Sequence, residues 1–117
     1  MTNEEINRAV AESVGWKFIP CHDDGFGRAT GERWLDPDGD IGLTPPDYCN
    51  DLSAIHEAEQ QTFKTREDQM ELGMTLLDVC APGEPVTVVF AIAVIVTATA
   101  RQRAEAYLRT IGKWRDA

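Results

Sequence analysis

Basic residues are in short supply in this 117-residue chain. Eleven Lys and Arg stand against 20 Asp and Glu, for a formal net charge of −9. Such an acidic chain disfavours nonspecific binding to long DNA or RNA, whose phosphates need cationic partners. Cysteine is scarce as well. Cys21, Cys49 and Cys80 are odd in number and widely spaced, which argues against a disulfide framework and fits a reducing compartment. The opening Met1-Thr2-Asn3-Glu4-Glu5 has no apolar signal core, and no apolar run reaches the roughly 18 residues needed to span a bilayer. Neither secretion nor membrane insertion is therefore expected. There is no internal repeat and no low-complexity tract. Apolar content of 43% and charged content of 26% are ordinary for a globular protein, and the length suits one domain, 1–117, around a modest core.

Against this background one stretch stands out, residues 86–97, the only long uncharged apolar run. Its Val, Ile and Thr content favours a strand over a helix. Val86, Val88, Phe90, Ile92, Val94 and Val96 would line one face, and Thr87, Val89, Ala91, Ala93, Ile95 and Thr97 the other. Neither face is polar, so the expected strand is central and covered on both sides. The fold class that follows is α/β, a small α-β-α sandwich with a long central strand and helices on both faces. Ile92 falls in its core.

Helices are expected over residues 2–14, 51–60, 66–79 and 100–112. Thr2 and Glu5 form a capping box, with Ile6, Ala9, Val10 and Val14 as the buried stripe and Gly15 as the stop. Asn50 can cap the second helix, with Asp51 placed for the helix dipole, Leu52, Ile55 and Ala58 apolar and Glu59 facing out. Thr62-Phe63-Lys64 reads as a break. Thr65 and Asp68 suggest a new cap, followed by Met70, Met74, Leu77 and Cys80, with Leu76 beside them and Pro82-Gly83 as the end. Thr99 and Gln102 make another capping box before Ala104, Tyr107, Leu108 and Ile111. Between the first two helices, Trp16, Phe18 and Ile19 form a short extended segment. Residues 21–31 read as a polar, glycine-rich surface loop. Arg33-Trp34-Leu35 and Ile41-Gly42-Leu43 read as a hairpin with Asp38-Gly39 in its turn.

Few constellations carry chemistry. The Gly25–Gly31 stretch lacks the Lys of a phosphate loop, and Thr30 stands where the third Gly of a dinucleotide fingerprint belongs. Asp36, Asp38 and Asp40 alternate like calcium ligands, but Gly39 precedes the third acid and no closing Glu follows. Cys21 and His22, or His22 with Asp23 and Asp24, have no second ligand pair at metal spacing. A cysteine hydrolase could be assembled from Cys49, His56 and Asp51, with the thiol near a helix start. The bland alternative is a packed cysteine and a surface histidine. No cofactor, metal or defensible catalytic set emerges.

Charge is unevenly spread. Over residues 85–117, Arg101, Arg103, Arg109, Lys113 and Arg115 outweigh Glu105 and Asp116 for a net +3, leaving −12 on the remainder. The asymmetry favours a homo-oligomer assembled head to tail, with the Trp114 end as an aromatic anchor. It also suggests an anion site at the helix start Thr99, beside Arg101 and Arg103. Arg28 and Arg33 could add charge, and Trp34, Tyr48 and Phe26 could stack on a base. The alternative is that Trp16, Trp34 and Tyr48 serve the core.

Several stretches resemble a family of small phage and prophage proteins, the phage α-β-α sandwich domain family. They are Ile6–Glu12 with Gly15-Trp16, Trp34–Gly39, Pro46–Glu59 and Ala98–Ala106. The resemblance covers nearly the whole chain, and its motifs are mostly helix caps and core positions. It implies helices on both faces of a small sheet and action in the cytoplasm of a bacterial host, with no catalytic motif to carry over. By analogy with such accessory proteins, the expected function is counter-defence. The protein would sequester a small nucleotide-derived immune signal without cleaving it, through Arg101, Arg103, Thr99, Trp34, Tyr48, Arg33, Phe26 and Arg28. The rival reading is an acidic decoy that inhibits a host protein through Asp23, Asp24, Asp36, Asp38 and Asp40.

Overall fold

The structure is a computed structural model that describes residues 1–19, 22–23, 29–30, 33–40, 44–83 and 87–115. Among these, α1 (Asn3–Ser13) is followed by β1 (Lys17–Ile19), β2 (His22–Asp23), β3 (Ala29–Thr30) and β4 (Arg33–Leu35). Then come α2 (Leu52–Thr62), α3 (Arg66–Cys80), α4 (Val88–Thr97) and α5 (Ala100–Thr110). Four of the helices lie where capping and periodicity place them. The Thr2–Glu5 and Thr99–Gln102 capping boxes both form. Asp51, one residue beyond the expected Asn50, caps α2 by accepting from the Ala54 N–H at 3.1 Å, and Thr65 caps α3 by accepting from that of Asp68 at 3.1 Å.

The fold class is corrected by α4. The run expected as a long central strand is a helix from Val88 to Thr97, so the chain is no α-β-α sandwich; Val86 lies outside the described residues. Thr87 starts α4 by accepting from the Phe90 N–H at 3.2 Å, and Thr97 Oγ1 donates to the Ala93 carbonyl at 2.8 Å. None of its residues is buried, and Ile92 is 58% exposed rather than central to the core. The error has a physical origin. Where no residue between Thr87 and Thr97 is polar, neither a period of 2 nor one of 3.6 shows, and β-branched content alone favours a strand.

The described strands make antiparallel ladders only. β1 pairs with β4, Phe18 opposite Trp34, and β2 pairs with β3, His22 opposite Thr30. Both ladders keep one register, as in a single two-stranded ribbon. The expected partner of Arg33–Leu35, residues 41–43, lies outside the described residues, and β1 takes that place. Four residues of the expected 21–31 loop belong to the ribbon. The turn at Asp38-Gly39 does form. The Asp36 carboxylate accepts from the N–H groups of Asp38 and Asp40 at 3.0 and 2.8 Å, and Gly39 takes a φ of +92° that favours glycine.

The core is helical and centred on α5, which packs against α1, α2 and α3. Ala100, Ala104, Ala106, Tyr107 and Leu108 are buried on it, and Ile6, Val10, Ile55, Phe63 and Leu76 close around them. The small alanines let neighbouring helices approach closely. Tyr107 is fully buried, and its hydroxyl lies 2.7 Å from Thr62 Oγ1 and 2.6 Å from Ser13 Oγ. Ser13 Oγ in turn donates to the Val10 carbonyl at 2.6 Å. One phenol thus ties α5 to α1 and α2. On α3 the buried face is Leu72 and Leu76, whereas Met70 and Met74, expected to face the core, are exposed. The radius of gyration, 16.7 Å, exceeds the roughly 13 Å of a compact domain of this length.

Candidate functional site

The residues expected to hold an anion are occupied within the fold. Thr99 caps α5, accepting from the Gln102 N–H at 3.1 Å. The Arg101 guanidinium reaches across to α1, donating to Asn3 Oδ1 and, at 3.2 Å, to the Met1 carbonyl. Arg103 donates through Nη1 to both carboxylate oxygens of Glu59, at 3.2 and 3.3 Å, and through Nη2 to the Ile95 carbonyl at 3.0 Å. It therefore holds α2, α5 and the last turn of α4 together. Glu59, expected to face out, is 7% exposed. Burial pushes its carboxyl up from the ordinary value, with Arg103 partly opposing. The stripe Ile55, Ala58, Glu59 and Thr62, spaced i, i+3, i+4 and i+7, carried the signal that Glu59 belongs inside.

The aromatic candidates do not gather at Thr99. Tyr48 is buried in the core, and burial pushes its hydroxyl up to about 12. Trp34 is half-buried on the ribbon, its ring centroid 5.1 Å from that of Phe18 and 6.5 Å from that of Trp16. Phe26, Arg28, Asp24 and Cys21 lie outside the described residues, as do the side chains of Arg33 and Asp23. The hydrolase constellation is not brought together either. Cys49 is buried with its thiol on the Asn3 carbonyl at 3.7 Å, and burial raises its pKa, the reverse of an activated nucleophile. Asp51 serves as a helix cap. His56 is exposed and faces Gln60 and Glu59. Among the described residues no three His, Cys, Asp or Glu side chains converge as a metal site.

Beside an open hollow of about 670 Å³ of mixed charge, lined by Met1, Glu5, Arg8, Glu12, Lys113 and Arg115, two surfaces among the described residues stand out as able to engage a partner. The first is an open groove of about 590 Å³ between α1 and the ribbon, lined by Glu4, Glu5, Asn7, Arg8, Phe18, Trp34, Pro45, Pro46 and Asp47. Its base is built by a side-chain network. Asn7 Nδ2 donates to Asp47 Oδ1 and Asn50 Nδ2 to Asp47 Oδ2, both at 2.8 Å, while Asn7 Oδ1 accepts from the Cys49 N–H at 3.0 Å. These amide donors hold the Asp47 carboxyl below its ordinary value, so it stays charged. At the opposite end of α1, Gly15 leads into the ribbon: its φ is +106°, and a Cβ there would come within 3.3 Å of Pro37. The groove already shows how it treats a cation. Arg8 stacks over Phe18 at 4.0 Å from the ring centroid while pairing with Glu12 at 3.1 Å. The second surface is the uncovered side of α4.

No described helix is long and apolar enough to cross a membrane. In comparison with known proteins, the chain matches no family model, no curated protein and no solved structure.

Proposed function

We propose that this protein is an acidic binding protein that acts by docking a basic, arginine-bearing segment of another protein, without chemistry of its own. The observation that carries this reading is the acidic–aromatic groove. It sets three carboxylates, Glu4, Glu5 and Asp47, around the Phe18 and Trp34 rings, and Arg8 occupies one of those rings in the manner proposed for a ligand. A guanidinium on an aromatic face flanked by carboxylates combines cation–π attraction with charge-assisted hydrogen bonds. The exposed Asp38 and Asp40 of the ribbon turn and the chain's net charge of −9 would steer a basic partner toward the molecule. The resemblance to small phage proteins suggests a host protein as the target and a bacterial cytoplasm as the place, by analogy alone.

Sequestration of a nucleotide-derived signal has weaker support, because Arg101 and Arg103 already satisfy carboxamide, carboxylate and carbonyl acceptors within the fold. Titration calorimetry with an arginine-rich peptide at low and at physiological salt tests the docking reading. Binding should weaken with salt and fall at least about tenfold in Glu4→Lys, a charge reversal on an exposed position. A flat titration at low salt, or unchanged affinity in Glu4→Lys, would overturn it. Intact nucleotide released on heat denaturation would favour sequestration instead.

A further inference from the structure

From the uncovered side of α4 we infer a second interaction surface, independent of the acidic groove, on which a second copy of this chain docks. α4 turns Ala91, Val94 and Ile95 toward α3 and leaves the rest in solvent. Val89, Ile92, Ala93 and Val96 follow the spacing i, i+3, i+4, i+7, the stripe by which one helix packs on another. Val88 and Val89 are 77% and 79% exposed, Ile92 58% and Val96 75%. A helix apolar on every side is normally covered.

Charge and area select the occupant. Residues 87–100 contain no charged side chain in a chain of net charge −9. The face therefore offers nothing to the basic partner that the acidic body attracts, whereas a second α4 meets it without opposing charges at the contact. A two-fold pairing also places apolar on apolar throughout, since each residue of the stripe meets a residue of the same stripe. With Val88 and Phe90 at its flanks, the exposed face presents roughly 500 Å² per copy at most, so complete mutual cover by a second copy would bury about 1,000 Å², the threshold of a specific interface. The small Ala93 in mid-stripe lets the two helices cross closely.

Analytical ultracentrifugation of the full chain over a range of concentrations tests this. We expect reversible association to twice the 13.0 kDa chain mass. The association should tighten with added salt, because salt screens the repulsion between two acidic bodies and leaves the apolar contact intact. Head-to-tail pairing of the acidic body with the basic C-terminal region would weaken instead, and that result would overturn the inference. Ile92→Glu should weaken association at least about 100-fold, because each copy would bury an unpaired carboxylate. An unchanged far-UV spectrum would show that this exposed position is not needed for folding. If Ile92→Glu fails to fold, Val96→Glu takes its place. Ala93→Cys should form an intermolecular disulfide on mild oxidation faster than the parent does. A monomer at every concentration, a dimer indifferent to both glutamates, or a monomer that partitions onto phosphatidylcholine vesicles would each overturn the proposal.

Discussion

Arg103 distinguishes a guanidinium held ready for a ligand from one that holds the fold together, because the two roles predict opposite effects of its removal. A ligand arginine could be lost with little change in stability. In the structure, Arg103→Ala strips Glu59, 7% exposed, of its only cationic partner within 3.3 Å among the described residues, apart from the more distant and exposed His56. Breaking a buried pair from one side costs about 3–5 kcal/mol. The Arg103 side chain keeps 20% of its exposure, so water can reach part of the site and the lower half of that range applies. The Ile95 carbonyl loses a charge-assisted hydrogen bond as well, adding about 1 kcal/mol. Together these give a loss of ~4 kcal/mol. A 117-residue domain shifts by about 4 °C per kcal/mol, so Tm should fall by roughly 15 °C. Urea unfolding followed by circular dichroism measures the loss directly, and a cycle with Glu59→Gln isolates the pair. Arg101→Ala, which frees an exposed clamp on Asn3 and Met1, should cost under about 1 kcal/mol. If Arg103→Ala unfolds within 0.5 kcal/mol of the parent, a margin of about the error expected of such measurements, the reasoning fails and the ligand role returns.

Two further outcomes follow from the buried polar groups. Tyr107→Phe removes the hydroxyl between Thr62 and Ser13 and should cost about 1–3 kcal/mol, most of it absent when Ser13→Ala and Thr62→Val are already in place; a full cost in that background would refute the hydrogen-bond chain. The two shifted carboxyls should act on stability with opposite sign. Glu59 is raised by burial, so the stability linked to its proton is fully present below the ordinary 4.5 and is lost as pH rises through its raised value, a fall that Glu59→Gln should flatten. Asp47 is lowered by the Asn50 and Asn7 amides, so its contribution is present above the ordinary 3.8 and is lost as pH falls through its lowered value. Carboxyl NMR titration, with melting curves on both sides of these values, checks both signs.

Much of the helical body was legible because caps and stripes are local. Thr2, Thr65 and Thr99 each accept from a backbone N–H three residues on, which is a property of four consecutive residues and needs no knowledge of the rest of the chain; at α2 the cap is Asp51, one residue past the expected Asn50. Faces were less legible. On α3 the choice between Met70 with Met74 and Leu72 with Leu76 depends on where α5 lies, which no local pattern contains. The charge of Glu59 points outward and its position inward; Arg103, forty-four residues away, makes the inside tenable for it. The candidate site was least legible of all. The acidic groove joins residues of α1, the ribbon and the Pro45–Asp47 segment, and the arginines that looked free in sequence find acceptors only when α1, α2 and α4 come together.

The run 88–97 shows where such reading stops and why. Seven of its ten residues are β-branched, each less favourable in a helix than alanine by about half a kcal/mol. Propensity therefore weighs against the conformation it adopts. What favours the helix lies at its ends and beside it: Thr87 caps it, Arg103 holds the Ile95 carbonyl, and Ala98 with Thr99 turns the chain into α5. These contacts fix one side of α4 and leave Val89, Ile92 and Val96 in water. A single copy of the chain thus holds more apolar helix than its four-helix body can cover. The lack of any charged or strongly polar position between Thr87 and Thr97, which hides the helical period in the sequence, is also what makes the exposed side of α4 apolar.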